Sequence, residues 1–121
     1  MTTISTPSGT PTIIYNRDGL TVDAISGNGT TSGSATAMTR YCQHTVVSVT
    51  VTTNNTAVKL PTGAEIGDVV EVYNVAGFPL APDVFPPSGE TLVNSNTDIS
   101  CTGGGAIFRK VTSTSWAFII G

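Results

Sequence analysis

Cys42 and His44 stand two residues apart, and on an extended strand that spacing puts thiol and imidazole on one face. Such a pair could begin a zinc site or a thiol–imidazole nucleophile. Zinc needs three or four ligands, and no Cys-x-x-Cys or second histidine completes the set. A nucleophile needs an orienting third group converging in a cleft, which nothing in the spacing announces. Cys42 and Cys101 are therefore expected to be reduced thiols packed as small hydrophobes, with a bridge formed after cell lysis as the alternative. The carboxylates Asp18, Asp23, Asp68, Asp83, Asp98, Glu65, Glu71 and Glu90 are scattered one to a turn or strand. A pair for glycoside hydrolysis must meet at roughly 5 to 9 Å, and no spacing here predicts it. They read as solvated turn residues. Gly103-Gly104-Gly105 lacks the lysine and following helix of a phosphate loop and reads as a hairpin turn. The expectation is a protein that is not an enzyme and holds no metal or cofactor.

The elements that carry these residues are extended. Val47, Val49 and Val51 alternate with Ser48, Thr50 and Thr52, the period of two of a half-buried strand. Asn54-Asn55 tolerates positive φ and suits a tight reversal. Ala57 to Leu60 is extended again until Pro61, and Asp68 to Val75 is a second valine-rich strand. Further short strands are expected at 20–25, 83–85, 90–93, 98–101, 106–111 and 116–120, with Trp116, Phe118 and Ile120 on one face. No apolar pattern holds a helical period for ten residues. The expected fold is all-β, a small antiparallel β-sandwich or barrel.

The 121 residues fit one domain, divided here into an extended N-terminal arm with a flexible loop, residues 1–40, and an all-β body, residues 41–121. The first dozen residues carry no periodicity, and 26–37 are rich in Gly, Ser and Thr. Only 11% of residues are charged, against roughly a quarter in an average soluble domain. The net charge of −3 gives no basic footprint for nucleic acid or an anionic membrane. No apolar run nears the ~20 residues of a membrane-spanning helix, and the N-terminus lacks the pattern of a signal peptide, so synthesis in a cytoplasm is expected. Phe78, Phe85, Pro86 and Pro87 lie in or beside loops and are candidates for a subunit interface. Ile4, Ile13, Ile14 and Tyr15, with Pro7 and Pro11, have no local pattern to pack against, which suits docking on another chain.

One ordered set of features resembles a known class. It runs Val49-Thr50-Val51, Asn54-Asn55, Val58-Lys59-Leu60-Pro61 and Ile66-Gly67-Asp68-Val69-Val70. It continues through Tyr73-Asn74, Val84-Phe85-Pro86-Pro87-Ser88-Gly89-Glu90-Thr91, the glycine run into Ala106-Ile107-Phe108, and Ser115-Trp116. Over roughly the last three-fifths of the chain this resembles the capsid decoration (cement) proteins of tailed bacteriophages and related β-rich tail-fibre modules. The resemblance implies a homotrimeric structural virion protein. It would sit on the outer capsid surface, bind the major capsid protein and stabilise the particle. The arm residues above would then be capsid contacts. The alternative is a receptor- or glycan-binding module of a tail fibre or spike, which is expected to extend from a longer repetitive stem.

Overall fold

A computed structural model describes residues 20–75, 80–102 and 104–120. The described residues form ten strands: β1 (Leu20–Ser26), β2 (Thr36–Ala37), β3 (His44–Thr50), β4 (Thr56–Lys59), β5 (Val69–Asn74), β6 (Pro82–Phe85), β7 (Thr91–Leu92), β8 (Ile99–Ser100), β9 (Gly105–Thr112) and β10 (Ser115–Ile120). Among the described residues there is no α-helix, only a short 3-10 turn at Val93–Ser95. The all-β expectation holds, and strands occupy most of the stretches predicted for them.

The topology differs from an antiparallel sandwich or barrel. A six-stranded sheet runs β1-β3-β5-β9-β10-β7, and a four-stranded sheet runs β2-β4-β6-β8. β1, β3 and β5 are parallel neighbours, as are β2, β4 and β6. The chain climbs one sheet, turns a corner into the other, and returns to stack a new coil on the last. Leu20 thus lies beside His44, and His44 beside Val69. This arrangement is solenoid-like. The corner at Asn54-Asn55 explains the departure. Asn55 does take positive φ, at 62°. The turn, however, passes β3 and β4 into different sheets instead of pairing them as a hairpin. Asn55 donates its backbone N–H to Ala81 O at 2.8 Å, and Asn54 Oδ1 accepts from Ala81 N at 3.0 Å, so one corner rests on the next.

The first coil comes from the stretch read as arm and linker. β1 and β2 lie within it, and both are paired edge strands. The C-terminal strands close the stack by running the other way: β9 is antiparallel to β5, β10 to β9, and β8 to β6. Between the sheets lie Val47, Val49, Val58, Leu60, Val72 and Val84, each at most 1% exposed, with Phe108 and Trp116 fully buried against them. The alternation in β3 is the one expected, since burying Val47 and Val49 forces Ser48 and Thr50 outward. Phe118 packs at the margin, its ring 6.2 Å from that of Phe108.

Gly105 starts β9 directly opposite Tyr73, and its backbone is pressed onto β5. A Cβ added there would lie 2.4 Å from Val72 O. Because backbone cannot swing aside as a side-chain tip can, Gly105→Ala must push β9 off β5. A loss of about 1–3 kcal/mol is expected from overpacking of this kind. Urea unfolding followed by tryptophan fluorescence measures it, and an unchanged midpoint would show that the two strands do not approach so closely.

Candidate functional site

Three of the residues read as interface candidates come together. Phe85 ends β6, and Pro86 and Pro87 carry the chain into a turn closed by the Glu90 N–H donating to Pro87 O at 3.0 Å. Gly89 at the tip of this turn has φ of 83°, the left-handed region where glycine is at ease. With Thr91, Asn96 and Thr97, and with Ser32 of the first coil opposite, these residues line an open groove of about 450 Å³. Phe85 and Pro86 are half-buried and Pro87 is buried, so they form its wall. Phe78 lies outside the described residues, as do Ile4, Pro7, Pro11, Ile13, Ile14 and Tyr15.

Glu90 forms the floor, and it is not the solvated turn residue expected. Its Oε1 accepts from Trp116 Nε1 at 2.7 Å, and its Oε2 from Lys110 Nζ at 3.1 Å. Lys110 is only 5% exposed. It occupies a core-facing position of β9, in the same parity as Ala106 and Phe108. A buried ammonium needs partners. Lys110 finds a second in Ala64 O at 2.9 Å, and it stands 5.9 Å from the centre of the Trp116 ring. This clasp joins the loop before β5, the loop before β7 and the closing hairpin.

Two further polar clusters hold the coils. Asp68, also buried, accepts from Arg40 Nε at 2.5 Å and Nη2 at 3.2 Å, and from the Glu65 backbone N–H at 2.9 Å. The Arg40 bond, with help from the backbone donor, holds the Asp68 carboxyl below its usual range against the opposing effect of burial. On the outer side of β3 and β5, Glu71 bonds the His44 ring and accepts from the Tyr73 hydroxyl at 2.5 Å. The Tyr73 bond first, and His44 after it, lower the Glu71 pKa. Asp83 moves the other way, raised by burial and then by the nearby charge of Asp98.

The Cys42 thiol donates to the His44 carbonyl oxygen at 2.9 Å, while the imidazole turns to Glu71. Cys42 and Cys101 form no disulfide, and burial pushes the Cys101 thiol up to about 12. Among the described residues no three His, Cys, Asp or Glu side chains cluster as a metal site. The groove offers an aromatic ring, prolyl surface, hydroxyls and an amide above a carboxylate already bonded on both oxygens. A signal for the clasp was present in the sequence, since Lys110 follows Phe108 by two in a strand and so shares its inward parity. No family model matches the chain, and no curated protein or solved structure matches it.

Two outcomes follow from these contacts. Glu90→Ala strands the Lys110 ammonium in the interior, and removing one partner of a buried pair costs about 3–5 kcal/mol. Chemical denaturation of the variant checks this, and a loss under about 1 kcal/mol would put the pair in the class of exposed salt bridges. Asp68 and Glu71 titrate lower in the fold than in the unfolded chain. Their stabilisation is therefore full above the ordinary carboxylate pKa of about 4 and drains as pH falls through the lowered folded values. Asp83, with its raised pKa, gives a slope of the opposite sign just above that pH. Melting temperature followed from pH 6 to 2 should fall on acidification, and Asp68→Asn should be less stable at pH 6 with a shallower acid limb. An identical limb in the variant would remove Asp68 from the account.

Proposed function

We propose that this chain is a structural virion protein, a capsid decoration protein that binds as a homotrimer to the outer surface of a capsid and reinforces it. The partner is the major capsid protein, and synthesis takes place in the host cytoplasm. The observation that carries the reading is where the strong polar contacts go. Arg40 to Asp68, and Lys110 to Glu90 and Ala64, each tie one coil or loop to another and leave a stiff body. A cement protein works by rigidity and adhesion. The ordered run from Val49-Thr50-Val51 to Ser115-Trp116 supplies the virion context by resemblance. Ile4, Pro7, Pro11, Ile13, Ile14 and Tyr15 are assigned to the capsid contact, because a Ser/Thr/Gly/Pro-rich segment can order against a partner surface it could not bury alone.

The groove favours a second reading, a glycan- or receptor-binding module of a fibre or spike. Phe85 offers a ring beside the hydroxyl of Thr91 and the amide of Asn96, a combination able to stack and bond a sugar.

Capsids from particles deleted for this gene discriminate the two. Purified protein is expected to co-sediment with them at fixed stoichiometry and raise their melting temperature, and protein lacking residues 1–15 to stay in the supernatant. Failure of the full chain to bind such capsids would overturn the decoration reading. Binding to host-surface glycans abolished by Phe85→Ala would replace it with the second.

A further inference from the structure

The stack ends openly on its N-terminal side. Among the described residues, β1 is the outer strand of the six-stranded sheet and β2 that of the four-stranded sheet, so the first coil has a neighbour on one side alone. Burial records the difference. Val49 and Val58, flanked by strands on both sides, are fully buried, whereas their first-coil partners Ile25 and Thr36 are only half-buried. The two edges are not alike. β1 sets Asp23 in the inward parity of the buried Val47, and an inward carboxylate on an edge strand stops a sheet from growing. β2 carries no charge. Met38, just past it, donates its backbone N–H to Lys59 O at 2.9 Å, so the N–H and C=O of Ala37 point the other way, off the open edge.

The spacing of the coils says which residues belong on that edge. Leu20 stands beside His44, and every pair of β1 with β3 keeps the same interval of twenty-four residues. β2 opens at Thr36, eight residues before β3 opens at His44. Eight residues before Leu20 stands Thr12, at the head of Thr12-Ile13-Ile14-Tyr15, the longest β-branched and aromatic run in the segment preceding β1. The interval of β1 to β3 sets Thr12 beside Thr36, Ile13 beside Ala37 and Ile14 beside the buried Met38. Asn16-Arg17-Asp18-Gly19 then has turn chemistry where the chain must pass from one sheet to the other. We infer that residues 12–15 of this chain add to the free edge of β2 as a parallel strand and cap the stack. By the pattern of Met38 to Lys59, the Ile14 N–H donates to Ala37 O and the Ala37 N–H to Thr12 O. Ile13 and Tyr15 face outward with Ala37 and stay available to the capsid contact, and Ile14 alone leaves that contact for the core. A second copy is a poorer occupant. The two residues of β2 offer too short a ladder to hold a separate molecule, whereas a strand tethered to β1 by one turn acts at high effective concentration. The cap concerns one chain by itself and stands independently of the decoration reading.

Amide hydrogen exchange followed by NMR on the full chain tests the cap with no capsid present. The Ile14 and Ala37 amides should exchange at least about 10-fold more slowly than that of Ile4, because a ladder bond protects and a free segment does not. Exchange as fast as at Ile4 would overturn the cap. Ile14→Asp sets a charge over Met38 and should return Ala37 to rapid exchange while Val47 and Val72 stay protected. Protection of Ala37 that survives this change comes from elsewhere and would also overturn it. Should that variant unfold, Ile13→Cys with Ala37→Cys in a Cys42→Ser background decides. Mild oxidation should give an intramolecular disulfide, read as the loss of two hydrogens from the intact mass. It should form at least about 10-fold faster than in the control pair Ile4→Cys with Ala37→Cys, since only neighbouring strands hold the two Cβ atoms in bridging range. Equal rates in the two pairs would reject the register and the cap with it. A bridge between molecules would give the edge to a second copy and reject the cap as well.

Discussion

A single coil of this chain cannot bury its own apolar side, and everything else follows from stacking the coils in register. Val47 and Val49 of β3 become core only because β1 and β5 extend the sheet on either side and the four-stranded sheet closes over them. Parallel stacking places equivalent positions of successive coils beside one another, so the inward parity of one strand is inherited by its neighbour. It also leaves a stack with ends. At the C-terminal end the chain reverses, and β9 pairs antiparallel with β5 along a ladder that requires Gly105 where it starts.

The reversal has an electrostatic cost, and the clasp around Lys110 offsets it. An ammonium at a core-facing position would be a defect without Glu90 and the Ala64 carbonyl. Glu90 in turn would be stranded without Trp116 Nε1 as its second donor. Three segments distant in sequence therefore have to be in place together. Arg40 and Asp68 do the same for the loop between β2 and β3 and the entry to β5. Buried pairs of this kind add little net stability over apolar packing, yet breaking one is costly, so they select one arrangement of loops over its alternatives.

With the interior occupied in this way, function is left to the surfaces. The groove beside Phe85 and the outward face holding Ile107 and Ile119 are different in kind. The first is concave, mixed in polarity and formed by turns. The second is a regular sheet face with Tyr73, Ile107, Val111 and Ile119 exposed on β5, β9 and β10. A stiff body is what the decoration reading requires, whereas the groove is what a ligand-binding reading would use.

The sequence by itself determined the local states. Valine alternating with serine and threonine specified β3, a valine-rich run specified β5, Pro61 ended β4, positive φ fell at Asn55, and the inward trio Ala106, Phe108 and Lys110 was implied once β9 was a strand. These are decided by sterics within a few residues. Tertiary structure alone decided which strand lies beside which. Short strands with turns between them fit a hairpin sandwich and a coil stack equally well, since both need the same period of two. Whether Asn54-Asn55 folds β4 back onto β3 or passes it to a second sheet depends on Ala81, more than twenty residues further on, supplying both partners for the corner. Strand parity pointed Lys110 inward, but its partner Glu90 was hidden for the same reason. Glu90 and Lys110 are ordinary surface residue types until the closing hairpin buries them together, and burial is a property of the assembled coils.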